Sequence, residues 1–497
     1  MDKNIFGMLT NLFGKKPETA GTPTALPLDE LASFLSVSPA AMAAFEKAYK
    51  EQAMDTKDND GNLFDRNNRD MSNEARTLKR VIENPEAIKA SAEICSRIAA
   101  ALAEMTPVTD GSERFLPCPA AQETGITAAE INVLPKELRP QLTDSLYAVD
   151  INSPSFPMLL TYLNSAMYAK DAKEAQAMYN RFRQGLDTLD LDQVTYRMLS
   201  NNPNSMSHWL PAIKYAAERH GFFKIPKTKI AKVPLPILQM SRLDYTSLTP
   251  ATLKIVDEWA MKAFDLDVNK SYFIKTGTFS SKFDFRNAKV TGEKEVRELG
   301  EYLLFIQSQA VQMASLLSKP TIVGASTTNE WVVREFIEDV EDNPTIYKGL
   351  PLHTEYRVFV DFENKRVLGT ANYWDPEMML TRFSKNADSS VHDMHDYTVY
   401  KAHMPVLTKR YYENVGTVTN KIKELIPDVA LRGQWSIDIM QNGNDFWIID
   451  MATADTSALN NVIPLGEMRG YPINWLPEIA TMDYEDMKEL NEGTKTE

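Results

Sequence analysis

A chain of 497 residues, 43% hydrophobic and 25% charged, is too long for one ordinary core and too apolar to stay unfolded, so two or three globular units are expected. A formal charge of -14 without a basic run to offset it repels phosphate backbones, so no nucleic-acid partner is expected. Cys95 and Cys118 are too few for a disulfide scaffold and point to a reducing, cytoplasmic setting. The best membrane-span candidate, Tyr302 to Leu317, is broken by Gln307, Ser308, Gln309 and Gln312, short of the roughly 20 apolar residues a span needs.

At the N-terminus, Ile5, Phe6, Leu9, Leu12 and Phe13 share a helical face that ends at Lys15 and Lys16. Residues 1–16 could therefore dock peripherally on a partner or a membrane surface. Prolines and a glycine make residues 17–28 a linker, so 1–28 reads as tail and linker. Residues 29–204 read as a helical domain, with helices from about Ser38 to Met54, from Asn73 to Ile82, and from beyond Pro85 to Met105. Three prolines and two glycines make 106–126 a long connection. Helices resume near Thr127, Pro157 and Asp190. Thr56 to Leu63 imitates a calcium loop but lacks an acid at its first position, and Asn67 stands where the bidentate Glu belongs, so calcium is not expected.

After about Ser205 short β-branched runs alternate with amphipathic helices, the pattern of an α+β fold. Strands are predicted at Thr228 to Val233, Ser271 to Thr276, Trp331 to Ile337, Glu355 to Phe362, Lys365 to Tyr373, Gln434 to Gln441 and Asp445 to Met451. Helices are predicted at Pro250 to Phe264 and Glu293 to Leu317.

The last two strands carry the chemistry. Between Gln434 and Met451 the odd positions Trp435, Ile437, Ile439, Trp447, Ile449 and Met451 are apolar, while Asp438 and Asp450 fall on even positions. With a loop of Asn442, Gly443 and Asn444, Ile437 would face Ile449 and Trp435 would face Met451. The two aspartates would then share the other face as a diagonal pair, suited to a magnesium ion whose remaining ligands are phosphate oxygens and water. A two-residue Asn442-Gly443 turn is rejected, because it would set each aspartate opposite the partner strand's buried face.

Three further pieces join the hairpin. In Tyr272 to Lys282 a strand ends at Lys275 and enters a loop of small residues holding Lys282, so both lysines could neutralise phosphate charge. The apolar strand from Trp331 runs into Glu335, Phe336 and Ile337, whose backbone could hydrogen-bond adenine. Alternation in Glu355-Tyr-Arg357 puts Glu355 and Arg357 on one face, where Arg357 can reach a phosphate bidentately. Neither a GxxxxGK[ST] nor a GxGxxG motif occurs. His392 and His395 have helical spacing but no third ligand nearby, so a polar helix face is expected there.

In this order the four pieces resemble the ATP-grasp superfamily, and within it most nearly the cell division cycle protein 123 family, over about residues 205 to 465. The resemblance implies a helical N-terminal domain followed by two α+β subdomains that clasp nucleotide. Residues 205–337 would form the N-terminal and central parts and 338–497 the C-terminal part with the metal site. It further implies ATP and Mg2+ as cofactors. Lys275 and Lys282 would bind the phosphates, Glu335 to Ile337 the adenine, Glu341 the ribose, Arg357 the γ-phosphate or an acyl-phosphate, and Asp438 and Asp450 the metal, with Arg357 and Lys282 catalytic. Two departures stand out. Ala452 replaces the superfamily's usual Asn, leaving a second metal short of a ligand unless Asp455 or Asn460 substitutes, and Phe283 separates Lys282 from Asp284. The leading expectation is an ADP-forming carboxylate–amine or carboxylate–thiol ligase acting through an acyl-phosphate. The alternatives are an ATP-binding assembly chaperone that clamps a protein partner, and a phosphotransferase.

Overall fold

The computed structural model describes residues 85–113, 115, 202–241, 248–282, 288–316, 328–384 and 391–471. The predicted tail, the linker, the helices before Pro85 and after residue 126, the calcium-like loop, Cys118, Phe283 and Asp284 lie outside the described residues. Among those described, no helix is long and apolar enough to cross a membrane.

Helix α1, Pro85–Glu104, begins on a proline whose missing N–H costs nothing in a first turn. Its Ile94, Ile98 and Leu102 recur at helical spacing and are buried. Burial also pushes the Cys95 thiol on this face up to about 12. A two-residue strand β1, Val108–Thr109, follows. After it come helix α2, Met206–His220, strand β2, Phe223–Lys224, strand β3, Thr228–Lys232, and a short helix α3, Leu235–Met240. Helix α4, Pro250–Ala263, is capped by Thr249, which accepts from the Thr252 N–H at 3.3 Å.

Next are strands β4, Tyr272–Thr276, and β5, Lys289–Val290. The helix predicted from Glu293 to Leu317 is two helices, α5, Gly292–Arg297, and α6, Leu299–Leu316. The break lets Gly300 press against the α4 backbone, where a Cβ would collide with the Val256 carbonyl. Asp257 accepts from the Glu301 N–H at 2.7 Å in the same contact. Gly300→Ala is expected to destabilise the fold in urea titrations, because an overpacking cost of about 1–3 kcal/mol against backbone exceeds the helix-propensity gain of about 1 kcal/mol.

Strand β6, Glu330–Glu335, completes a five-stranded antiparallel sheet of order β1-β3-β6-β4-β5. One face, with Ala231, Tyr272, Ile274, Trp331 and Val333, packs on α1, α4 and α6 in a single apolar cluster. Residues of α1, before position 205, thus share one apolar cluster with residues after it. Strand β1 and helix α1 belong to the sheet that the later chain builds.

Strands β7, Thr345–Ile346, and β8, Leu350–Pro351, pair with each other. The second five-stranded sheet collects β9, Thr354–Asp361, β10, Arg366–Asn372, β11, Gln434–Asn442, and β12, Asp445–Thr453, in the order β10-β9-β11-β12-β2. Only the β12–β2 pairing is parallel. Between β10 and β11 run α7, Pro376–Ser384, and the 35-residue helix α8, Val391–Leu425, which takes in positions 392 and 395. His395 lies 3.3 Å from Asp396. One face of the sheet, with Tyr356, Val358, Trp435, Ile437, Ile439, Phe446 and Ile448, buries against α2 and α8. The molecule is thus a mixed α+β fold in which α2, packed between the sheets, also takes Ile230 and Val332 into its cluster.

Candidate functional site

The hairpin of β11 and β12 adopts neither register weighed from the sequence. Asn442 pairs with Asp445 across a two-residue Gly443-Asn444 turn. Gly443 takes a φ of 61°, which glycine adopts without strain. The Asn442 side chain fixes the turn by accepting from the Val340 N–H at 3.1 Å and donating to the Glu338 carbonyl at 2.9 Å. Ile439 pairs with Ile448, Asp438 with Asp450, and Ile437 with Met451, which leaves Ile449 as the extra residue of a bulge. The predicted Ile437–Ile449 and Trp435–Met451 pairs do not form, and Trp435 faces Thr453 instead.

The physical reason is that Phe446, Trp447, Ile448 and Ile449 are apolar on both parities. Period-two alternation cannot choose between them. Phe446 and Ile448 fill the buried face, Trp447 stands on the other, and the bulge then restores the phase of Asp450. The aspartates do share a face, but as a directly opposed pair rather than a diagonal one. Like charges directly opposite are destabilising, so each needs a cation.

Both cations come from predicted positions. In β4, Tyr272 and Ile274 point into the helix-covered core while Phe273 and Lys275 line a cleft between the two sheets. Lys275, its side chain 2% exposed, donates to Asp450 Oδ2 at 2.6 Å. Burial pulls the ammonium below its ordinary pKa, and Asp450 opposes that shift. Arg357 faces Asp438 across the β9–β11 ladder and grips it bidentately, at 2.7 Å from Nε and 2.6 Å from Nη2. Burial works against its charge, but Asp438 outweighs it and holds the guanidinium above its usual range.

The cleft has a volume of about 260 Å3, and Lys275, Lys282, Glu335, Phe336, Ile337, Arg357, Asp438 and Asp450 all line it. The Lys282 ammonium lies 4.8 Å from the Tyr373 ring centre and 5.9 Å from that of Trp374. Burial lowers its pKa, and Tyr373 and Glu355 more than reverse this. The predicted adenine strand is partly committed elsewhere. The Glu335 N–H donates to the Lys227 carbonyl and the Phe336 N–H to the Ser271 carbonyl, both at 3.0 Å. Glu335 also binds Lys270 at 2.7 Å and Lys227 at 3.3 Å. Glu341 does not line the cleft. It holds Arg410 at 3.0 Å and clusters with Asp339 and His353. Neither Asp455 nor Asn460 reaches the cleft to replace the ligand lost at Ala452. Asp455 accepts from the Tyr471 N–H and Asn460 donates to the Ala454 carbonyl, each at 3.3 Å.

Sequence reasoning missed two residues. Arg334 follows the apolar run Trp331, Val332 and Val333 inside a strand, which was the available signal. It lines the cleft, donates to the Ile449 carbonyl and to Met206 Sδ, and burial lowers its pKa to about 10. Glu355, two positions before Arg357 on the same face, was the other. Its ladder partner is Met440, its Oε2 has no hydrogen-bond partner, and the charges of Lys282 and Arg357 oppose its shift without cancelling it. Burial raises its pKa, so ionising it in the folded chain costs stability as pH climbs from the unfolded carboxylate range towards the raised value. Glu355→Gln is expected to gain stability over the natural chain, with a larger gain at pH 8 than at pH 4.5 in thermal melts. An equal difference at both pH values would contradict this.

The donor set suits a hard divalent cation such as magnesium: two opposed carboxylates beside four cationic side chains able to meet phosphate oxygens. No family model and no curated protein matches the chain. Among solved structures it is similar to a C-terminally truncated Cdc123 from Schizosaccharomyces pombe, at 14% identity and a TM-score of 0.27, over 50% of this chain and 83% of that one. It is likewise similar to Cdc123 from the same organism, at 15% identity and a TM-score of 0.27, over 51% and 83%.

Proposed function

We propose that the cleft binds Mg-ATP between two subdomains, as an ATP-grasp protein does. We further propose that the chain is an ADP-forming ligase that activates a carboxylate as an acyl-phosphate and passes the acyl group to an amine or thiol. The reading is supported by one observation above others. Lys275, Arg334, Arg357, Asp438 and Asp450, drawn from two different sheets, and Lys282, from the loop after β4, converge on one partly enclosed cleft.

In this proposal Asp438 and Asp450 hold the magnesium ion, which when bound neutralises charge on the transferring phosphoryl group. Lys275, Lys282 and Arg334 bind phosphate oxygens, and Arg357 orients the terminal phosphate or the acyl-phosphate. Phe336 and Ile337 pack against the base. Sheet walls close enough to bury Lys275 and Glu355 also exclude water from a hydrolysable intermediate.

The test is product analysis with ATP, Mg2+ and panels of carboxylate and amine acceptors. Acceptor-dependent release of ADP and phosphate is expected, and Asp438→Asn and Asp450→Asn should abolish it while remaining folded. Tight nucleotide binding without turnover, alongside a co-purifying protein, would move the conclusion to an assembly chaperone. Full turnover in both variants would remove the site assignment.

A further inference from the structure

The carboxylates assigned to the metal are each already bonded to a cation assigned to phosphate. Lys275 Nζ lies 2.6 Å from Asp450, and Arg357 spans both oxygens of Asp438. A divalent cation arriving alone would take Asp438 and Asp450 and leave a buried ammonium and a buried guanidinium without their bonded carboxylates. A polyphosphate arriving alone would take the cations and leave two carboxylates opposed across the bulged hairpin. Breaking one side of a buried pair is strongly unfavourable, and this holds in full for Arg357, Asp438 and Lys275, with side chains 14%, 10% and 2% exposed, and less for Asp450, which is 39% exposed.

Metal and polyphosphate together give every group a new partner. The carboxylates pass to the metal, the cations pass to phosphate oxygens, and no buried charge is stranded. The two pairs also differ in reach. Arg357 and Asp438 lie in one sheet, whereas the Lys275–Asp450 bond joins the first sheet to the second. Exchange at that second pair therefore unties one of the contacts that hold the cleft walls together.

We propose that the Lys275–Asp450 and Arg357–Asp438 pairs act as a charge-exchange lock that makes binding of a divalent cation and of a nucleoside triphosphate mutually dependent. This rests on the nucleotide reading above.

Isothermal titration calorimetry on the full chain tests it, with ATP in EDTA, ATP in excess MgCl2, and MgCl2 alone. In the natural chain Mg2+ is expected to raise ATP affinity about 100-fold, at the upper end of ordinary coupling between ligands. In Asp450→Asn the freed lysine meets phosphate without surrendering a carboxylate, so ATP in EDTA should bind about 10-fold more tightly than to the natural chain, by the same coupling. The benefit of adding Mg2+ should largely vanish. Lys275→Met is the mirror variant and should bind MgCl2 alone more tightly than the natural chain. A retained cooperative melt for each variant separates these effects from misfolding, with Asp438→Asn as a second variant for the ATP arm and Arg357→Gln as a second variant for the metal arm. If the natural chain binds Mg-ATP but neither kind of variant gains affinity for its single ligand, the lock is wrong and the nucleotide site stands. If the natural chain binds no nucleotide with or without Mg2+, the site itself falls and the lock with it.

Discussion

Arg357→Leu is expected to cost about 3–5 kcal/mol of folding stability, the magnitude for removing one partner of a buried pair. The side chains of Arg357 and Asp438 are only 14% and 10% exposed, so the 0.2–1 kcal/mol typical of a surface pair does not apply. The loss has two parts. Two charge-assisted hydrogen bonds disappear, and Asp438 is left directly opposite Asp450 without its bonded cation. Leucine at both positions should recover most of the loss, because a matched apolar pair strands no charge. Urea denaturation followed by tryptophan fluorescence reads this directly, since Trp435 lies on the same strand as Asp438. A loss below about 1 kcal/mol would place the pair in the solvent-screened class instead.

The second large effect lies outside the cleft. Glu330 is fully buried in β6 and accepts from the Ser207 N–H at 3.1 Å, from the Ser207 hydroxyl, and from Lys232 Nζ at 2.7 Å. It therefore satisfies an N–H in the first turn of α2 and a lysine of β3 with 4% side-chain exposure at once. Glu330→Leu should cost about 3–5 kcal/mol for the stranded lysine, with a further 1–3 kcal/mol for the orphaned Ser207 N–H. Lys232→Met added to it should return the lysine's share but not the helix end. Urea midpoints of the single and double variants separate the two. Burial pushes the Glu330 carboxyl up, but Lys232 and the hydrogen bonds outweigh it and hold it below the ordinary range. Its contribution is thus present above the unfolded carboxylate pKa and lost as pH falls towards the depressed value.

Why these partners escaped the sequence follows from what periodicity encodes. Alternation states which face of a strand a side chain takes, and it set Glu355 with Arg357 on one face of β9; for Asp450 the face depended on the Ile449 bulge, which alternation does not encode. The longer strands from Thr228 to Thr453 were legible for the same reason, to within two residues at the ends, whereas the two-residue strands β5, β7 and β8 were not. Alternation does not state which strand lies alongside. Lys275 and Asp450 are 175 positions apart, and nothing local in either segment encodes their meeting. Glu341 shows the converse: its place after the strand suggested a cleft residue, but the chain turns away and Arg410, from α8, claims it.

The sequence by itself determined the α+β class, the longer strands, the face of most of their side chains, and the charged residues available to a site. Tertiary structure alone decided the hairpin register, where four consecutive apolar residues gave both phases equal claim until the turn and the bulge chose. It also decided that the first sheet draws on residues before position 205, that Arg334 joins the cleft, and which cation meets which carboxylate. Those outcomes depend on charge neutralisation and close packing between segments far apart in the chain, and both forces act on distances that exist only once the sheets have come together.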